Sequence, residues 1–387
     1  MTDLNKEKPK YSYNDIMVVP SELTYICSRS ECNCLYPNGM MPIFTAPMDT
    51  VVGLDNYKLF EQNNIIPIIP RTVDLHKRLE IMNEGYWIAV SLNEFKSMFF
   101  PSGKTSRVLI DIANGHMQCL YEEVKKKKEE YDGLVIMVGN IANPETYRYC
   151  MDAGVDAVRC SIGTGSMCIT SSNTAIGYPI ASLISEIAHI KRNVGKYNYS
   201  NNKPPKIIAD GGIRNYSDVI KAIALGADYV MCGGIFVKMI ESSAVKVMYR
   251  GMNNTKEINL RFPQERYENL RYVKHGWIGD YTDEFVQHMK EQGHNVNKFG
   301  RNIGQIQALF YGMASKSGQI ALNGCKSRTA EGKESKTEVL YTMKQWSNNM
   351  KDYFKSAMSY TNSKTIDELK EAKVVVVSQN AYNSVNK

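Results

Sequence analysis

Eight short apolar runs, spaced by enough polar chain for a helix between each pair, predict a (β/α)8 TIM barrel. The runs are Met41–Met48, Ile65–Ile69, Tyr86–Leu92, Val108–Ala113, Leu134–Ile141, Ala157–Ile162, Lys206–Ala209 and Tyr229–Cys232. Several are β-branched and non-alternating, as strands buried on both faces are. Segments between them, such as Thr146–Ala153 and Tyr216–Leu225, carry helical spacing. The third observation is that the strand ends are chemically loaded, which is where barrel active sites sit. A doubly wound open sheet is the rival. No run leads into a Gly-x-Gly-x-x-Gly helix start, which disfavours a Rossmann site.

The elements follow in order. Residues 1–10 read as disordered, and Tyr11 to Pro20 is mixed. Cys27, Cys32 and Cys34 cluster in a loop-like stretch with no second ligand pair nearby, so loop thiols are favoured over zinc. The first strand is followed by Ala46-Pro47-Met48-Asp49-Thr50 and the second by Pro70-Arg71-Thr72. The fourth ends in Asp111-Ile112-Ala113-Asn114-Gly115, and the fifth in Gly139-Asn140. After the seventh and eighth come Asp210-Gly211-Gly212 and Gly233-Gly234. Such glycine pairs bring backbone N–H groups onto a phosphate. Beyond Gly234, residues 235–301 form a long polar insertion without clear strand rhythm, read as a lobe, partner surface or lid. Phe310 to Ser315 follows, then a Gly- and Lys-rich stretch to Lys336 that reads as a mobile flap. Helical patterns near Trp346–Tyr360 and Ile366–Ala372 and a last strand, Val374–Val377, close the chain.

The 387 residues, 43% hydrophobic and 22% charged, suit one large globular domain. Its barrel core is expected at about 41–235 and 305–378, its insertion at about 236–304 and its flap at about 314–338. No run approaches the roughly 18 apolar residues of a membrane span. The polar N-terminus does not read as a signal peptide. The nine cysteines then read as reduced thiols of a cytoplasmic protein. The formal charge of +7 is mild. Lys125–Lys128 is flanked by glutamates and reads as a solvated helix face, not a nucleic-acid site. Ser102-Gly103-Lys104-Thr105 lacks the first glycine of a P-loop, because Met98 stands there.

The loop after the sixth strand concentrates the chemistry. Gly163 and Gly165 permit a sharp turn, and Ser166 and Thr170 flank a single thiol, Cys168. A loop cysteine of this kind is either a nucleophile or a small buried residue in a tight turn. Glu331, in the flap, is either an acid/base group or a solubilising charge.

These residues resemble the IMP dehydrogenase and GMP reductase family. Gly163-Thr164-Gly165-Ser166-Met167-Cys168-Ile169-Thr170 is similar to the family's catalytic loop, Gly-x-Gly-Ser-x-Cys-x-Thr, and Gly177-Tyr178-Pro179 continues it. Ala46 to Thr50, Asp111 with Asn114-Gly115, Asp210 to Ile213, Tyr311-Gly312-Met313 and Glu331-Gly332 fall in family order. The resemblance covers roughly residues 11–235 and 305–378. It implies a purine nucleoside monophosphate as substrate, NADPH (or NADH/NAD+) as cofactor, and a homotetramer. It implies that Cys168 attacks C2 of the purine and that Thr170 and Glu331 relay a proton. Asp210 would hold the ribose hydroxyls. Ser166, Gly212, Gly233, Gly234 and Tyr311 would take the 5′-phosphate, Met48 and Met313 would pack near the base, and Gly211 and Gly312 would also contact the substrate. Asp111, Ala113, Gly163 and Ser315 would lie toward the cofactor. Backbone carbonyls of Gly163, Gly165 and Cys168 would hold a monovalent cation such as K+. Arg328-Thr329-Ala330-Glu331-Gly332-Lys333 resembles the reductase's Arg-Ala-Ser-Glu-Gly-Lys, and the stretch between Gly312 and Glu331 is short and holds no Arg-Tyr pair of the kind the dehydrogenase flap carries. The resemblance therefore favours a GMP reductase over an IMP dehydrogenase or an enzyme of a deoxy- or modified nucleotide. A nucleotide-sensing barrel is the non-enzymatic alternative. Several positions depart from the family: Pro70-Arg71 replaces its His-Lys pair, Arg159 matches the dehydrogenase rather than the reductase, Lys238 stands where a small residue is usual, and Ser171 replaces an Arg common in reductases.

Overall fold

A computed structural model describes residues 8–197, 202–250, 254–260, 272–274, 277–279, 304–325 and 329–385. A short strand, β1 (Ile16–Val18), precedes the barrel. The barrel strands are β2 (Ile43–Thr45), β3 (Ile68–Ile69), β4 (Trp87–Val90), β5 (Ser106–Asp111), β6 (Leu134–Ile141), β7 (Ala157–Cys160), β8 (Lys206–Asp210) and β9 (Tyr229–Cys232). All neighbours in this eight-stranded sheet are parallel, in the order β2-β9-β8-β7-β6-β5-β4-β3. The ring closes where Thr45 N donates to Ile66 O and Ile66 N to Ile43 O, both at 2.9 Å. The fold is thus the (β/α)8 barrel that the apolar rhythm predicts.

The strands are shorter than the apolar runs because much of each run packs instead of pairing. Inside the ring Phe44, Ile68, Leu109, Met137 and Ile208 form a plug, with Ala46 and Met231 above it. Burying each large side chain of this kind contributes about 1.5–3 kcal/mol. Outside, a larger apolar layer joins the strands to the helices. Helix starts are set by side-chain caps. Asp74 accepts from His76 N and Lys77 N, and Ser91 with Glu94, Asn215 with Asp218 and Thr342 with Gln345 form capping boxes.

Beyond β9 the structure departs from the expectation of an insertion without strands. Strand β10 (Lys246–Arg250) leads into it, β11 (Asn254–Leu260) pairs with β10, and β14 (Gly304–Tyr311) leads out of it. Between them lie β12 (Tyr272–Lys274) and β13 (Trp277–Gly279), an antiparallel pair. The flap expected over 314–338 also carries regular structure. It contains a helix, Lys316–Asn323, and a strand, β15 (Glu334–Glu338), that pairs with β14. The result is a four-stranded antiparallel sheet, β11-β10-β14-β15, beside the barrel. Arg328 and residues 261–271 and 280–303 of the insertion lie outside the described residues. The long helix Met343–Tyr360 follows, and β16 (Val374–Val376) returns to pair antiparallel with β1. Within the start read as disordered, Lys10 is tied down: its Nζ meets Glu186 Oε1 at 2.8 Å.

Candidate active site

The thiol loop leaves β7 and turns at Gly163, whose φ is +80°. A side chain there would collide with Ser171, because a Cβ would lie 1.6 Å from Ser171 Oγ. That hydroxyl donates to Ile176 O at 2.5 Å and closes the loop behind the thiol. Cys168 N donates to Gly165 O at 2.9 Å. The loop is then pinned to a segment more than 160 residues downstream. Ile169 N donates to Glu331 O at 3.0 Å and Lys333 N to Met167 O at 2.7 Å. Gly332 must be small, because a Cβ would lie 2.6 Å from Ser315 N.

This pinning aligns a chain of three polar groups. The Cys168 thiol donates to Thr170 Oγ1 at 3.3 Å, and Thr170 Oγ1 donates to Glu331 Oε2 at 3.0 Å. A nucleophile, a hydroxyl and a carboxylate in contact form the arrangement that proton transfer at a reacting atom needs.

Opposite them, four neighbouring strands supply a buried charge network. Arg159 on β7 donates from Nη1 to Asp111 Oδ1 on β5 at 2.6 Å. The same guanidinium donates from Nη2 and Nε to Asp210 Oδ2 on β8, at 2.8 and 3.2 Å. Asn140 Nδ2, on β6, donates to that same oxygen at 2.7 Å. Burial would pull the Arg159 pKa down, but the Asp210 and Asp111 carboxylates outweigh it and hold it above the ordinary value. The arginine crosses β6 at Gly139, where a Cβ would lie 2.4 Å from Arg159 Cβ. Arg71 Nη1 approaches the same network, donating to Asp111 O at 3.3 Å.

A cavity of about 240 Å³ separates the two groups. Of the residues expected at a substrate, Met48, Ser166, Asp210, Gly211 and Gly212 line it, as do Gly233, Gly234, Gly312 and Met313. Cys168 and Glu331 reach it from one side and Asp111 from the other. Its floor is Met231, the top of the barrel plug. Tyr311 is not part of the lining; its hydroxyl donates to Asp49 Oδ2 at 2.5 Å. Burial raises the Asp49 carboxyl above its usual range, opposed by that hydrogen bond. Ala113 and Gly163 also stand outside the lining. Ser315, expected on the cofactor side, is fully buried, and its side chain accepts from Gly318 N to cap the helix Lys316–Asn323. Among the described residues no group of three or more His, Cys, Asp or Glu side chains is placed to hold a metal ion.

Comparison with known proteins places the chain in a family. Residues 101–275 match the model of the IMP dehydrogenase / GMP reductase domain. A GMP reductase of Streptococcus suis is 31% identical over 251 residues, which is 61% of this chain and 72% of that protein. This chain belongs to the IMP dehydrogenase/GMP reductase family. A GMP reductase of Staphylococcus saprophyticus is similar, at 31% over 255 residues (62% of this chain, 74% of that one). An inosine-5′-monophosphate dehydrogenase of Staphylococcus haemolyticus is 36% identical over 198 residues, covering 48% of this chain and 39% of the dehydrogenase. The family is one of oxidoreductases, and this member is an enzyme of that class.

Two residues of this family member's site gained no role from sequence reasoning. Asn140 read only as a strand end, and Arg159 only as a family variant. The available signal was Gly139: a glycine inside an apolar strand marks close approach of another group.

Proposed function

We propose that this chain is a GMP reductase-like enzyme, converting GMP and NADPH to IMP and ammonia through Cys168. The observation that carries the reading is the hydrogen-bonded chain Cys168–Thr170–Glu331, at 3.3 and 3.0 Å, on the wall of a cavity with Asp210 opposite. The similarity to two GMP reductases supports the choice of reaction.

Cys168 adds as thiolate to C2 of GMP. The C2–amino bond then breaks, and the departing ammonia takes its proton through Thr170 Oγ1 from Glu331. When bound, the nicotinamide cofactor supplies a hydride to C2 of the remaining thioimidate. The C2–sulfur bond breaks, IMP leaves, and the thiolate is restored. The balance is GMP, NADPH and two protons giving IMP, NADP+ and ammonium. Asp210 Oδ2 is fully occupied by Arg159 and Asn140, while Oδ1 has no partner among the described residues and suits a ribose hydroxyl. Asp111 Oδ2 is likewise free among the described residues and fits a hydroxyl of the cofactor. The glycine-lined end of the cavity takes the phosphate, and the carbonyls of Gly163, Gly165 and Cys168 take a monovalent cation. The reading extends to a cytoplasmic homotetramer of single-domain chains.

A second reading, IMP dehydrogenase, is favoured by the 36% identity to the Staphylococcus haemolyticus protein. Paired assays at the nicotinamide absorbance band separate the two. Loss of NADPH absorbance with GMP, matched by ammonia and IMP, is the expected result. Gain of NADH absorbance with IMP and NAD+ would establish the dehydrogenase. Silence in both, with nucleotide bound, would leave a modified substrate or a sensor.

A further inference from the structure

The network opposite the thiol contains more than two ligand-binding carboxylates. Asp111 ends β5 and Asp210 ends β8, so two strands separate them in the sheet. One planar cation spans the gap. Arg159 commits Nη1 to Asp111 at 2.6 Å and Nη2 with Nε to Asp210 at 2.8 and 3.2 Å. The Arg159 side chain is 9% exposed, and those of the carboxylates only 22% and 15%, so little water screens the three charges. Each carboxylate gives one oxygen to the guanidinium. All three residues line the cavity.

We propose that Arg159 is a positioning residue that couples the substrate side of this site to the cofactor side, fixing Asp210 and Asp111 at one mutual spacing. The inference rests on the reading above, in which Asp210 faces the nucleotide sugar and Asp111 the cofactor. A rigid guanidinium fork holds two anions at set angles, which the point charge of a lysine does not. A change at either carboxylate then alters how the guanidinium divides itself, and the other carboxylate moves with it. The neighbouring glycine keeps this arrangement open, since any side chain at 139 would displace the arginine. Hydride transfer between two separately bound molecules depends on such spacing, because misplacement by 1 Å costs about 100-fold in rate.

The test is a set of four proteins: wild type, Asp111→Asn, Arg159→Lys and the double variant, each checked by thermal melt. The first readout is the Kd of GMP titrated without cofactor. Asp111→Asn is expected to shift that Kd at least threefold, although Asp111 faces the cofactor. The shift is expected to vanish in the Arg159→Lys background. The second readout is steady state: Arg159→Lys should lower kcat tenfold or more, a larger fold-change than in either KM. An arginine that only supports the fold would lower the melting temperature but leave GMP affinity indifferent to position 111. If wild type binds and reduces GMP but Asp111→Asn leaves the GMP Kd unchanged, coupling is refuted and the functional reading stands. If wild type binds no purine nucleotide, both fall together.

Discussion

Replacing Gly163 with alanine should disable the thiol loop while leaving the barrel folded. The added Cβ would lie 1.6 Å from Ser171 Oγ, 2.6 Å from Ser171 Cβ and 3.2 Å from Ser171 N. Rotating the serine relieves only the first overlap. Its Cβ is fixed to the backbone, so reaching ordinary carbon contact near 3.5 Å requires one backbone to move by about 0.9 Å. The moving part is either the turn at 163, which leads to the thiol, or the helix Thr170–Thr174, which begins with its hydroxyl partner. Alanine in this left-handed conformation (φ +80°) adds about 1–2 kcal/mol of strain. A shift near 1 Å predicts a fall in kcat of about 100-fold. The assay is the initial rate of NADPH consumption with GMP, beside a thermal melt and a GMP titration. Nucleotide affinity should fall less than kcat, because Asp210, Gly233 and Gly234 are carried by β8 and the end of β9. Combining Gly163→Ala with Ser171→Gly removes the two closest overlaps and should recover most of the rate of the Ser171→Gly single variant. A Gly163→Ala protein that keeps more than half of the wild-type kcat would refute the reasoning. So would a double variant no faster than Gly163→Ala alone.

Other outcomes follow from the same geometry. Cys168→Ala should abolish turnover and leave GMP affinity within about threefold, measured by titration calorimetry. Glu331→Gln should slow ammonia release by about 100-fold or more, the usual scale of a lost general acid; rapid-quench assay of ammonia would detect it, and an unchanged rate would remove Glu331 from the relay. Asp228 is buried among Lys191 at 2.5 Å, Lys370 at 3.1 Å and Lys206 at 3.2 Å. Burial alone would raise its carboxyl, but the three lysines hold it down at about 2. Its stabilisation is therefore complete above the unfolded value near 3.9 and is lost as pH falls from about 4 toward 2. Asp228→Asn should cost about 3–5 kcal/mol in urea unfolding at pH 7 and lose that acid dependence. Glu241 has the opposite sign. Burial raises its carboxyl to about 7, while the unfolded value is near 4.3. Its proton is kept on folding, so stability falls as pH rises from about 4.3 through 7. Glu241→Gln keeps the acceptor for Met343 N and should melt higher than wild type at pH 8.

The barrel was legible because its strands are buried on both faces. Runs such as Leu134–Ile141 need no partner in view to be read. Strand ends were not legible: Met41–Met48 contains only three paired residues, Ile43–Thr45, because Met41 and Ala46 pack without joining a strand. The sheet beside the barrel was missed, although one of its strands carries a signal. Ile306, Ala308 and Phe310 are buried and alternate with half-buried Gln307 and Leu309. At the site, the thiol loop was visible as local motif. The Arg159 network was not, because its acids lie 48 and 51 residues away and only the barrel's curvature brings them together. The family resemblance assigns Tyr311 to the ligand, while its hydroxyl is held by Asp49, 262 residues earlier.

The backbone ladder between the thiol loop and residues 331–333 sets the order in which the site assembles. Met167, Ile169, Glu331 and Lys333 are joined by two hydrogen bonds, and Gly312 N donates to Lys333 O at 3.0 Å. Docking this one segment delivers the acid to Thr170 and also sets Gly312 and Met313 in the cavity wall. Undocking removes all of them at once. A half-built site, with thiol but no acid, therefore has no wall to hold a nucleotide against it. The ladder acts as a logical conjunction: on the proposed mechanism, the bond to the purine and the means to break it become available together. β14 and β15 flank this segment and share a sheet with β10, so the latch and the start of the insertion belong to one piece of structure.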